Sequence, residues 1–205
     1  LMQRNKLLKE LFFHPEYEDT LEIWDEQLIR YGREVMEHRR SFLAQLDPIV
    51  REIHGKLSGG REEIRLVYVP DTCEEELEQA FCRNRPQDIK QKTTLSGPHR
   101  DDMNLMIGGV DVRRFGSQGQ QRTAALSLKL AELELVRKIS RDDPVLLLDD
   151  VLSELDGNRQ NQLLSAIRHI QTVITCTGLD EFVNNRFPID RVFKVAGQTV
   201  KCENE

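Results

Sequence analysis

Two adjacent carboxylates, Asp149 and Asp150, follow an unbroken apolar run from Pro144 to Leu148. Five apolar residues in succession predict a strand buried on both faces, as in a parallel sheet. Ligands of open α/β sheets sit beyond the carboxyl ends of the strands, which is where these acids fall. The first acid suits Mg²⁺, a hard cation that takes oxygen ligands and bridges to phosphates. The second can orient or deprotonate an attacking water. A strand that simply ends and returns to solvent gives the same pattern, so the pair needs context.

Part of that context lies upstream, in Arg114-Phe115-Gly116-Ser117-Gln118-Gly119-Gln120-Gln121-Arg122-Thr123. Ser117 is a good helix N-cap, and Gly119 lets backbone approach whatever lies beyond it. Free N–H groups and a serine hydroxyl at a helix start make a ready anion site. A serine-capped helix with no ligand explains the segment equally well. Arg113 and Arg114, beside this loop, are the nearest thing to a local patch for DNA contact, and a solvated hairpin end accounts for them better.

Composition narrows the setting. The chain has 205 residues, 39% hydrophobic and 31% charged, which describes a polar globular protein rather than a disordered one. No apolar run approaches the ~20 residues that cross a bilayer, and no signal-peptide pattern opens the sequence, so a cytoplasmic setting is expected. Cys73, Cys82, Cys176 and Cys202 show no Cys-x-x-Cys spacing, which favours reduced thiols over a metal site or disulfides. Net charge is −6, with 15 Lys+Arg against 19 Asp+Glu up to Lys92 and 14 against 16 beyond it. Neither part carries a basic footprint for nucleic acid.

Leu1 to Phe13 opens in mid-helix without a cap, as if the chain began inside a longer protein, and His14-Pro15 ends it. Asp19 with Glu22 reads as a capping pair. Leu21, Trp24, Leu28, Tyr31, Val35, His38 and Phe42 then form one narrow apolar seam. Asp47-Pro48 is a fresh N-cap or a kink, and Ser58-Gly59-Gly60 stops the run. A helix from Thr20 to Leu57 would extend ~55 Å, which predicts an arm packed against the first segment. A short strand follows at 64–69, a helix at 74–84, and a further turn opened by Pro86. Runs 102–107 and 110–114 flank Gly108-Gly109, a strong hairpin signal. The stretch 118–138 reads as an amphipathic helix. The central strand, a helix over 158–170 and a strand at 173–176 make a parallel crossover unit, and 192–195 with 199–201 close the chain as a hairpin.

Taken together, these motifs resemble ABC-type ATPases. Ser117-Gln118-Gly119-Gln120 is similar to their signature loop, Leu146–Asp149 to their Walker B strand, and Ser153-Glu154-Leu155-Asp156 to their D-loop. Three linked stretches, Leu95–Asp102, Gly116–Arg122 and Leu147–Asp156, together with Gln3–Leu8, resemble the RecF family of bacterial recombination mediators over essentially the whole chain. The resemblance implies an α/β fold: the C-terminal half of an ABC-type ATPase head, a parallel-sheet lobe with flanking helices over 93–205, plus a mainly helical arm over 1–92. No Gly-x-x-x-x-Gly-Lys-[Ser/Thr] phosphate loop is present, so the chain is expected to lack the lobe that grips ATP and, alone, to be inactive.

For the complete protein the resemblance implies a weak ATPase using ATP and Mg²⁺. Asp149 would hold the metal through water and Asp150 would orient the attacking water. Ser117, Gln118, Gly119 and Gln120 would bind the nucleotide of a second subunit, and Ser153 and Asp156 would form the D-loop facing it. The partners implied are duplex DNA near single-strand junctions, RecR with RecO as a further candidate, and a second copy in an ATP-dependent homodimer that helps load RecA. Two departures stand out. Asp150 replaces the usual glutamate, which shortens the reach to water and predicts slow turnover. The usual switch histidine after the second buried strand is absent, leaving Thr175 and Thr177 as polar candidates. The head of another chromosome-organising or transporter ATPase, or an interaction module with a vestigial acid pair, are the competing readings.

Overall fold

A guanidinium with no exposure to solvent sits where three helices of the chain meet. It belongs to Arg4, in helix α1 (Met2–Glu10). The computed structural model describes residues 1–152, 155, 157–177 and 189–203. They fall into two units, Leu1–Leu135 and Val136–Glu205.

The first unit is built on helix α2 (Thr20–Ser58), 39 residues long and unbroken through Pro48. Its end matches the sequence signal, with Gly59 in the left-handed conformation at φ 69°. Its start does not: Asp19 makes no side-chain cap, and the Thr20 hydroxyl donates instead to the Tyr17 carbonyl.

The buried stripe of α2 also departs from the expected seam. Tyr31, Val35 and Phe42 are exposed, while Leu21, Asp25, Gly32 and Met36 are buried. Two of these owe their burial to partners remote in sequence. Asp25 faces Arg4, whose Nε donates to it at 2.5 Å. Gly32 admits a close neighbour, since a Cβ there would lie 3.1 Å from a Leu77 methyl. An apolar count cannot find a stripe that runs through an acid and a glycine.

Arg4 links more than two elements. Its Nη1 donates to Asp88 at 2.7 Å and to the Thr94 hydroxyl at 2.8 Å. Asp88 belongs to helix α3 (Leu77–Gln91), which runs straight through Pro86 rather than breaking there. Arg85 reaches the second oxygen of Asp25 at 2.8 Å. The remaining Arg4 nitrogen, Nη2, has no hydrogen-bond partner, but the guanidinium carbon lies 5.2 Å from the Phe81 ring centroid, in cation–π range. Around this centre Leu7, Leu8, Leu11 and Leu21 pack α1 against α2.

A three-stranded antiparallel sheet follows, in the order β1 (Ile64–Val69), β2 (Asp102–Ile107), β3 (Val110–Asp111). Gly108 and Gly109, both with positive φ, turn the expected hairpin. Its second arm is shorter than the sequence suggests: after Asp111 the chain enters helix α4 (Val112–Phe115), because the Asp111 carboxylate accepts from the Arg113 N–H and caps it. The sheet packs on α2 and on α5 (Gln118–Ser140) through Leu46, Val50, Ile64, Val112, Ala124 and Ala131.

The return into β2 is held by one carboxylate. Asp101 accepts from Arg39 of α2 at 2.9 Å, from the Asp71 N–H at 3.0 Å and from the Tyr68 hydroxyl. Arg100 in turn lies 3.6 Å from Asp71. The His99–Asp102 run therefore works as an internal Arg–carboxylate clasp. Burial first, and then the bond to Asp101, push the Tyr68 phenol up to about 12.

In the second unit, β4 (Leu146–Asp149) and β5 (Thr172–Thr175) pair in parallel, with Leu146 opposite Thr172 and Asp149 opposite Thr175. Helix α6 (Gly157–Ala166) makes the crossover between them. Leu148, Leu152, Leu163, Leu164 and Ile167 are buried. The strand is buried on one face only: Leu147 is 72% exposed, Val145 53% and Val173 51%. Continuous apolarity marks side chains suited to two covered faces, but among the described residues nothing covers the second. The hairpin of β6 (Val192–Ala196) and β7 (Thr199–Glu203) ends the described chain. No described helix is long and apolar enough to cross a membrane.

Arg4→Met should strip the buried Asp25 and Asp88 of their common cation. Loss of one partner from a buried ion pair costs about 3–5 kcal/mol, so the urea midpoint should fall sharply; an unchanged midpoint would count against the ionic centre. Tyr68 gives a pH test. Its folded-state pKa exceeds the ordinary 10, so the protonated phenol stabilises the fold fully below that pH. That stability is lost as pH rises from about 10 towards 12. Urea midpoints measured across this range should decline more steeply for the parent than for Tyr68→Phe.

Candidate functional site

The segment between α4 and α5 is shaped by backbone crowding. A Cβ on Gly116 would lie 2.6 Å from the Val112 carbonyl oxygen, so only glycine permits this approach. The Gln121 amide, at 3.2 Å, donates to the carbonyls of Val112, Arg113 and Gly116, which closes the end of α4. Gln121 was part of the quoted motif but had no role assigned from sequence.

Beyond Gly116 the chain forms a reciprocal cap. The Gln120 N–H donates to Ser117 Oγ at 3.2 Å, and the Ser117 N–H donates to Gln120 Oε1 at 2.9 Å. This arrangement uses an acceptor site of the serine and leaves its O–H to donate elsewhere. Ser117 and Gln118 are exposed, while Gly119 and Gln120 are half-buried. The exposed helix start can therefore present a hydroxyl and backbone N–H groups to an anion.

The cap does not stand alone. With its oxygen committed to Ser117, the Gln120 amide turns its NH₂ towards Glu62, donating at 3.1 Å. Glu62 lies between the end of α2 and the start of β1. Its other oxygen is 3.2 Å from Nε2 of His54, a fully buried residue near the end of α2. His54 Nδ1 lies 3.0 Å from the Ser127 hydroxyl, which itself donates to the Thr123 carbonyl at 2.7 Å. A hydroxyl has one proton to give, and Ser127 gives it to Thr123, so His54 Nδ1 is the donor to the serine oxygen. Neither Glu62 nor His54 was singled out from sequence, since their partners lie 58 and 73 positions away.

Arg113 and Arg114 flank this loop, and each has a carboxylate neighbour. Arg113 donates to Asp102 at 2.5 Å and Arg114 lies 3.7 Å from Asp111. The Arg113 hydrogen bond, followed by the Met103 N–H, holds the exposed Asp102 carboxyl below its ordinary range.

In the second unit the acid pair stands at the carboxyl end of β4, both residues exposed. Thr175, directly opposite on β5, donates its hydroxyl to Asp149 Oδ1 at 2.5 Å. The Asp150 N–H reaches both the Thr175 carbonyl, at 3.1 Å, and its hydroxyl, at 3.2 Å. Asp150 itself is left-handed at φ 52°, a conformation that Asp and Asn tolerate better than other side chains. The strand therefore ends in a sharp turn, and Thr175 fixes the first acid by its side chain and the second by its backbone. Thr175 was named from sequence only as a switch candidate. Ser153 and Asp156, the expected D-loop residues, lie outside the described residues. Among the described residues no cluster of three His, Cys, Asp or Glu could hold a metal ion. A cation here would rest on a single carboxylate plus water and ligand oxygens, as Mg²⁺ commonly does beside phosphates.

No family model matches the sequence. Individual proteins do. The chain is 53% identical over its full length to a DNA replication and repair protein RecF of Agathobacter rectalis, and spans 57% of that protein. Identity is again 53%, with the same coverage, to RecF of Lachnospira eligens, and 39% over 98% of the chain to RecF of Clostridium perfringens. Among solved structures, the recombination mediator protein RecF with ATP, described as part of the RecFOR pathway, superposes with a TM-score of 0.85 at 34% identity. That match covers the whole chain and 56% of the other protein. A second RecF structure, described as an ATPγS form, gives 0.84 at 35% identity. The chain thus spans a little over half the length of the relatives it matches.

Proposed function

The chain belongs to the RecF family of DNA replication and repair proteins, and we propose that it is the part carrying the signature helix and the Walker B strand of an ATP-driven DNA clamp. In this reading it is the C-terminal half of an ABC-type head, with residues 1–92 as the arm and 93–205 as the lobe. The observation that carries the proposal is the acid pair at the carboxyl end of β4, pinned by Thr175. The uncovered apolar face of Leu147, Val145 and Val173 also supports a sheet completed by further strands of a longer protein.

The donor set fits Mg²⁺ and nucleotide. Asp149 offers exposed hard oxygens, and the Thr175 hydroxyl fixes its carboxylate plane. When bound, ATP·Mg²⁺ supplies the phosphoanhydride and a Lewis acid. Asp149 would hold the Mg²⁺, through water. Asp150 accepts a hydrogen bond from the attacking water and withdraws its proton. Ser117, through its hydroxyl, and Gln118 and Gly119, through their N–H groups, would hold the terminal phosphate of a second subunit's nucleotide, with Gln120 shaping the loop. Ser153 and Asp156 belong to the stretch whose sequence resembles a D-loop.

The setting we propose is cytoplasmic. Closure of two subunits clamps duplex DNA near a single-strand junction, and RecR, with RecO, assists in loading RecA. Arg113 and Arg114 contact the duplex by exchanging Asp102 and Asp111 for phosphates. Such exchange is cheap at the surface, where solvent screens both ion pairs.

Two substitutions in a full-length protein carrying this chain test the reading. Asp150→Asn keeps size and the left-handed turn but removes the charge. Steady-state turnover should fall roughly 10²–10⁴-fold, the range for loss of a general base, with nucleotide affinity little changed. Ser117→Arg places a cation against the positive end of the helix dipole. ATP should still bind, but ATP-dependent dimerisation seen by sedimentation velocity should disappear together with hydrolysis. A Ser117→Arg protein that dimerises normally with ATP would reduce Ser117 to a helix cap.

A further inference from the structure

We propose that Glu62, buttressed by His54, is the positioning residue of the signature loop, and that it couples the long helix α2 to the phosphate-facing helix start. The inference rests on the nucleotide reading above for its consequence, but its geometry is independent of any ligand. A serine–glutamine capping box needs nothing beyond its own two residues. Here the glutamine is also gripped from outside, by a carboxylate at the exit of α2. That carboxylate is gripped in turn by a fully buried histidine on α2 itself. The histidine's other nitrogen anchors on Ser127, about two and a half turns into the same helix that Ser117 caps. The bridge therefore closes a ring: α2, Glu62, Gln120, α5 and back to α2.

Such a ring has a mechanical meaning. The last turn of α2 cannot shift relative to the start of α5 without breaking either the Gln120–Glu62 bond or the His54–Ser127 bond. The His54–Ser127 bond is buried and the Gln120–Glu62 bond, to a charged group, is part-buried, so losing either is costly. Displacement of the helix at this end is therefore passed to Gln120, and from Gln120 to Ser117 through two hydrogen bonds. Conversely, an anion that fixes Ser117 stiffens the exit of α2. Gln120 in this account is not a nucleotide ligand: both ends of its amide are engaged within the protein.

The discriminating substitution is Gln120→Glu. Glutamate serves a capping box as well as glutamine does, so a cap acting alone would be unaffected or slightly strengthened. If Glu62 positions the loop, the new carboxylate instead meets a second one about 3 Å away and is repelled. Hydrogen exchange of peptides spanning Gly116–Gln121, read by mass spectrometry in the full-length protein without nucleotide, should then accelerate about tenfold. Glu62→Ala should act in the same direction with the capping box untouched. The double variant Glu62→Gln with Gln120→Glu reverses the donor and acceptor and should restore protection towards the parent value. In the same series the ATP concentration needed for half-maximal dimerisation should rise about tenfold in the two single variants and recover in the double. Unchanged exchange in Gln120→Glu, or a double variant no better than the single, would overturn the proposal. Because exchange is read without nucleotide, it judges the bridge alone. A parent protein that never dimerises with ATP would instead count against the proposed function.

Discussion

One buried cation sets the geometry of the first unit. Arg4 enters a site with no solvent, and a charge there is tolerable only if its donors meet anions or acceptors. Asp25 of α2, Asp88 of α3 and Thr94 supply them, while the Phe81 ring lies against the guanidinium. The requirement fixes three helices at one point and explains why the buried stripe of α2 is partly polar. It also fixes the chain beyond α3: Asp88 accepts from the Leu95 N–H at 3.0 Å, and Asn5, next to Arg4, accepts from the Thr94 N–H at 2.9 Å. From there the path runs through the Asp101 clasp into β2, the hairpin, α4 and the start of α5. The placement of Ser117 is thus built step by step on polar contacts that each need an exact partner.

The two candidate chemical groups are presented by different means. Ser117 stands at a helix start whose cap is closed from behind, so its outward groups are spared for a ligand. The acids of β4 rely on strand register: pairing Asp149 with Thr175 brings a hydroxyl to the first acid and a carbonyl to the N–H of the second. A shift of the pairing by one residue would turn Thr175 to the opposite face and leave Asp149 without its donor. In both places a short polar side chain spends one hydrogen-bonding function on structure and keeps another exposed.

Local signals in the sequence were dependable where the cause is local. The glycines after α2 and between β2 and β3 act on neighbours within a few residues, and the crossover from β4 to β5 showed as consecutive apolar, helical and apolar runs ending in acids. Ser117 was legible as a cap for the same reason. What could not be read depends on distant partners. Arg4 looks like one more exposed base of a short amphipathic segment until Asp88, 84 positions on, is brought to it. Asp25 and Gly32 break an apolar period, so the seam drawn through Tyr31 and Val35 followed the wrong face. Pro86 reads as a break, yet packing of Leu77, Ala80 and Phe81 keeps α3 continuous. Glu62 and His54 carry no motif at all. Their meaning arises only where the exit of α2 meets the start of α5.

The central claim is that this chain's signature loop completes a nucleotide site belonging to a second subunit. Mixing two full-length variants tests it directly. One carries Ser117→Arg; the other has its own phosphate-binding lobe disabled and Ser117 intact. Each alone should fail to hydrolyse ATP. Mixed in equal amounts, they should regain hydrolysis in proportion to the heterodimer formed, since one of its two sites pairs an intact lobe with an intact Ser117. A mixture as inactive as its components, under conditions where the heterodimer is seen to form, would contradict the account.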